Sequence, residues 1–237
     1  VYGVTSLVQT AGFILLLRLL SDHPWMSYGA RGVLVSAGAL SCLVGAWLSL
    51  SAPSDDPDDW LIYATVANGG LMLVGLGTQS EAAGTGVALL VFARTLALVL
   101  TELASHAGDW QRRLALGVAT LTLAGTPGLA GFPGFWLIVR RLQVTGRPLA
   151  EFAVLAGSGL LEIAAEYETF RPEVPAVLLF GTPTSDALDG SVNRPHSAGI
   201  HRAILLLVGL LLLLGLFPGL VAHSLDDALR KLNVPGP

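Results

Sequence analysis

The chain has 237 residues, 53% of them apolar and 13% charged, with 13 basic against 17 acidic side chains and a net charge of −4. An ordinary soluble domain carries about 25% charged residues, so this composition, with a mean hydropathy of +0.67, excludes one and points to an all-α, polytopic bundle of transmembrane helices. Only Lys231 among the basic residues is a lysine, and no basic stripe is present to neutralise phosphates, which argues against a nucleic-acid partner.

The chain enters an apolar stretch at Val1 without a basic n-region or a small-residue cleavage site. This opening reads as a membrane helix, behind either an unusual start codon or further residues upstream. An uncharged run of roughly 18 residues spans about 30 Å of hydrocarbon, and the chain offers seven such spans. The first, Val1 to Leu17, ends at Arg18. Gly32 to Ala52 and Trp60 to Ser80 follow, separated by a loop that holds Asp55, Asp56, Asp58 and Asp59. Ala82 to Ser105 carries Arg94 and Glu102 inside it. Leu114 to Val139 is uncharged but contains Pro127 and Pro133, and each proline removes a backbone donor, so residues 114–139 are expected to form one discontinuous helix. Leu149 to Tyr167 holds Glu151, Glu162 and Glu166, and Ala203 to Ala222 is almost continuously Leu, Val and Gly. Arg171 to Arg202, rich in Pro, Gly, Ser and Asp, lacks either apolar period and reads as an extramembrane loop. The whole chain, 1–237, is taken as a single membrane domain.

Several residues are candidates for chemistry. The break around Gly125, Pro127, Gly131, Pro133 and Gly134 frees backbone groups at membrane depth, which is tolerated only where they are buried in protein or line a hydrated cavity. Transport and a packing kink both fit that pattern. Arg94 and Glu102 are eight residues apart, on one helix face two turns apart. They could form a charge relay linked through Thr95, Thr101 or water, or each could be satisfied by a neighbouring helix or subunit. Glu162 and Glu166 share a face at i and i+4, as a paired-carboxylate proton site or as a solvated helix end. The four aspartates lack the Gly and Glu pattern of a calcium loop and read as a solvated turn before Trp60. The single cysteine, Cys42, excludes an intrachain disulfide and a Cys cluster. The five histidines have no metal-ligand spacing, so no metal is expected.

Four stretches in order carry a family resemblance. The break, with Leu123, Ala124, Gly125, Pro127, Ala130, Gly131, Phe132 and Gly134, resembles the S-L-A-G-x-P-P-x-A-G-F-x-G-K-F pattern of antiporter-like membrane subunits of respiratory complex I and of Mrp-type cation/proton antiporters. Ser6 to Phe13 with Leu15 to Arg18 looks like the family's S-x-x-K-x-A-G-F helix, and Leu61 to Gly70 looks like its L-A-Y-S-S-I-x-H-x-G segment. Gly215-Leu-Phe-Pro218 resembles its last helix. The resemblance, strongest to the N-type subunit, implies the second half of such a protein, helices eight to fourteen.

It also implies a function: an antiporter-like subunit of a complex I-like assembly, contributing to proton translocation coupled to quinone reduction. The implied partners are other membrane subunits and the lipid bilayer, with quinone nearby. The chain itself holds no cofactor and no catalytic residue, because partner subunits oxidise the donor. It departs from the family where protons move. Gln9 and Phe135 stand at lysine positions, Asp58 and Asp59 replace a basic pair, and Asn68 stands where histidine is common. Neither Gln nor Phe exchanges a proton near neutral pH. A path would have to use Arg94, Glu102, Glu162 or Glu166; otherwise the chain is a degenerate, non-pumping scaffold between neighbouring subunits. The resemblance implies a cytoplasmic start, whereas basic residues on alternate loops, seven against five, weakly favour the reverse.

Overall fold

The computed structural model describes residues 11–16, 18, 28–51, 57–170 and 198–219. All regular secondary structure among them is helical. After a helical stretch at 11–16 come α1 (Tyr28–Ser51), α2 (Pro57–Gly77), α3 (Glu81–Ala104), α4 (Asp109–Ala124), α5 (Gly131–Val144), α6 (Pro148–Phe170) and α7 (Ala198–Leu216). Five of these helices contain a segment long and apolar enough to cross a membrane: α1, α2, α3, α6 and α7. At 16 and 14 residues, α4 and α5 are each too short to cross alone, but together they span the expected discontinuous helix. Gln9, Trp25, Asp55, Asp56, residues 171–197 and the chain after 219 lie outside the described residues. The last helix begins at Ala198, inside the range read from sequence as loop, because His201 and Arg202 interrupt the apolar run without interrupting the helix.

Short connections set neighbours side by side. α3 starts at a capped end: Ser80 accepts from the Ala83 amide at 3.2 Å, and Glu81 follows in the first turn, where the helix dipole favours an acid. α1 packs most extensively on α2 and then α6, while α3 lies against α4 and α5. Small residues allow the closest of these approaches. A Cβ on Gly38 would sit 2.6 Å from the Gly70 carbonyl, and one on Gly45 would sit 2.7 Å from the Ala67 amide. Close backbone contact of this kind is how helices associate where lipid removes the hydrophobic drive to pair.

Two apolar clusters form the interior. One gathers Ala64, Ala67, Leu100, Leu123, Ala124, Leu161 and the buried face of α7; the other gathers Cys42, Leu71, Met72, Leu90, Phe135, Ile138 and Val154. They meet at the break between α4 and α5. The outer surface carries Val33, Leu40, Phe152, Ile163 and Leu206, as the surface of an integral membrane protein must. Trp47, Trp110 and Trp136 are exposed there, while Trp60 is buried.

Candidate functional site

The last four carbonyls of a helix have no partner within it. In α4 these belong to Leu121, Thr122, Leu123 and Ala124, and each finds a partner inside the protein. Gly125 adopts the left-handed conformation, φ 82°, and its N–H points back to the Leu121 and Thr122 carbonyls. The Thr126 N–H donates to the Leu121 carbonyl at 3.1 Å, which completes a Schellman turn. The Leu123 carbonyl would ordinarily take the N–H four residues on, but that residue is Pro127, which has none. Asn68, 55 residues away on α2, supplies the missing donor: its Nδ2 reaches the Leu123 carbonyl at 2.7 Å and the Ala64 carbonyl at 3.1 Å. The Ser158 hydroxyl on α6 approaches the Ala124 carbonyl at 3.5 Å.

The connecting residues close on themselves through Leu129 N–H to Thr126 O and Phe132 N–H to Leu129 O, at 3.2 and 3.1 Å. Pro133 falls in the first turn of α5, where a missing N–H deprives no carbonyl. Gly131 is held against the Thr122 carbonyl, and Gly215 of α7 against Gly128, so closely that a Cβ at either would overlap backbone.

Beside the break is a cavity of about 20 Å³ lined by Asn68, Ser158, Gly125, Phe135, Cys42 and several aliphatic side chains. Asn68 is only 5% exposed, and Phe135 8%. The Phe135 ring lies 6.4 Å from that of Phe132, which stacks in turn on Trp136 at 6.2 Å. An apolar wall therefore occupies the position where the resemblance leads one to expect a lysine.

The structure brings Gly125, Asn68 and Phe135 together with Ser158, which the sequence did not single out. It disperses the ionisable candidates. Arg94 is buried near the middle of α3, one turn along from Leu90, which lines the cavity. Glu102 is exposed two residues from the end of α3. The intervening Thr95 and Thr101 hydroxyls donate to Val91 and Ala97 of their own helix, at 2.8 and 3.0 Å. On α6, Glu162 is half-buried and Glu166 exposed, at i+4 and i+8 from Ser158 and so on the same face. Asp58 and Asp59 stand in the first turn of α2. Among the described residues, no three His, Cys, Asp or Glu side chains gather where a metal could bind.

No protein-family model matches the chain. Among curated proteins, NADH-quinone oxidoreductase subunit 13 of Thermus thermophilus is 31% identical over 227 residues, an alignment that covers 86% of this chain and 45% of that protein. NADH-quinone oxidoreductase subunit N 2 of Herpetosiphon aurantiacus is 30% identical over 189 residues, covering 64% of this chain and 34% of that one. The chain thus spans less than half the length of these relatives. Among solved structures, respiratory complex I from Thermus thermophilus with bound NADH matches with a TM-score of 0.59 and 28% identity, over 87% of this chain and 46% of that one. The Mrp complex from Dietzia sp. matches in fold, with a TM-score of 0.71 at 14% identity over 95% of this chain and 52% of that one.

Proposed function

We propose, from the premise that this integral membrane chain is homologous to the second half of the antiporter-like subunits of NADH-quinone oxidoreductase, that it serves in the membrane arm of a complex I-like assembly in an energy-conserving membrane. That assembly couples quinone reduction to proton translocation, and its other membrane subunits are this chain's partners. Within it, this half acts as a scaffold that joins neighbouring subunits, and its own proton relay is interrupted at the helix break. The observation that carries this reading is the neutral break: Asn68 and Ser158 partner the freed carbonyls, and Phe135 lines the cavity where the resemblance leads one to expect a lysine. A relay needs groups that bind and release protons, and Asn, Ser and Phe do not do so near neutral pH.

One observation favours the other reading, a proton path through this half. Ser158, Glu162 and Glu166 form a polar line along α6 from the cavity to the helix end. Proton uptake per electron, measured in proteoliposomes that contain the whole assembly, separates the two. Glu162→Gln and Glu102→Gln leave the stoichiometry unchanged if this half is a scaffold. A clear fall in either variant, with the subunit content intact, assigns the path to α6 or α3 instead.

A further inference from the structure

We propose that the cavity at the helix break is a binding site for a single water molecule, held between the Asn68 amide oxygen and the Ser158 hydroxyl. Three observations converge on that ligand. The first is size. At about 20 Å³ the cavity exceeds the roughly 10–15 Å³ that one buried water requires.

The second is hydrogen-bonding capacity. The two hydrogens of the Asn68 amide are committed to the Ala64 and Leu123 carbonyls, and no donor among the described residues reaches its Oδ1. The residue is only 5% exposed, so little bulk solvent is at hand for that oxygen. Ser158 stands 3.5 Å from the Ala124 carbonyl, beyond the roughly 2.5–3.0 Å of a good O–H···O bond. A water donating to both oxygens satisfies the amide and gives the hydroxyl a nearer partner.

The third is charge. No carboxylate lines the cavity. A cation in this low-dielectric space would therefore lack a counter-charge. A neutral ligand of water's size is what remains. This site does not depend on whether the half pumps protons.

The test is a density map of the native assembly at a resolution that shows ordered water elsewhere at the same membrane depth. One isolated peak is expected, within about 2.6–3.2 Å of both Asn68 Oδ1 and Ser158 Oγ, and the same map of an Asn68→Leu assembly should lack it. A native map without the peak overturns the proposal. So does a peak surrounded by five or more oxygens at metal-ligand distance, or a file of peaks that continues to either membrane face. Should the Asn68→Leu assembly not form, the native map decides alone.

Discussion

The break between α4 and α5 and the outer ends of α3 and α6 are polar regions of the bundle built in opposite ways. At the break, deep between the two apolar clusters, backbone carbonyls are exposed by sequence, and uncharged side chains answer them: Asn68 for Leu123, Ser158 for Ala124. At the ends of α3 and α6 the polar groups are carboxylates, and Glu102 and Glu166 stand exposed. These carboxylates stand where solvent, headgroups or a partner can compensate them, and the break keeps neutral polarity where only protein can. Proton transfer through this half would need both in one place, titrating groups at the freed backbone. Among the described residues, the half-buried Glu162, one turn from Ser158, is the nearest approach on α6 to that condition.

The contrast breaks most readily at the glycines that let the two half-helices touch. Gly131→Ala places a methyl group against the Thr122 carbonyl. We expect it to destabilise the chain by about 3 kcal/mol, at the upper end for overpacking. A Cβ on Gly84 of α3 meets nothing within 4 Å, and Gly84→Ala should be neutral or stabilising by up to about 1 kcal/mol. Thermal unfolding midpoints of the two detergent-solubilised variants give the check. Similar midpoints would mean that the close packing at the break is not what holds it.

Next in size is the surrogate donor. Asn68→Leu leaves the Leu123 carbonyl buried without a partner, a loss of about 1–3 kcal/mol. The penalty should shrink by about 1 kcal/mol when Pro127→Ala is also present, because residue 127 then has an N–H to offer the same carbonyl. Additive losses in that cycle would show that Asn68 stabilises the fold by some other contact. Gly125→Ala should follow at about 1–2 kcal/mol, the cost of holding a side chain in the left-handed region, measured against Gly159→Ala, where the added Cβ is free of contacts.

How much of this was legible in the sequence follows from the range of each interaction. The break itself was legible, since Gly125 followed by Pro127 is a local signal for a Schellman turn that cannot be continued. Its repair was not, because Asn68 and Leu123 are 55 residues apart and nothing local links them. Asn68 stood out only as a residue where the resembling family commonly has histidine, and Ser158 was one small polar residue among many. The spacing of Arg94 and Glu102 put them on one helix face, but these helices are apolar nearly all round, so periodicity does not say which face turns inward. Burial of Arg94 and exposure of Glu102 required the neighbours α4, α5 and α7.

The smallest expected effect belongs to the rim. Glu166→Gln and Glu102→Gln remove a charge from exposed positions near helix ends, where little is desolvated and surface changes rarely exceed about 0.5 kcal/mol. Unfolding of the isolated chain should therefore scarcely register either substitution. Recovery of the chain with its partners is the sharper readout, since a carboxylate covered by a neighbouring subunit is paired there, and its loss leaves the partner's cation buried alone. If Glu102→Gln leaves the isolated chain untouched but weakens co-purification, the exposed end of α3 is a docking point, and the division between a neutral helix break and a charged rim becomes a division between holding the fold and holding the assembly. If both substitutions are silent in both measurements, the rim charges face solvent, and the contacts that make this half a scaffold lie on the apolar outer faces of α1, α6 and α7.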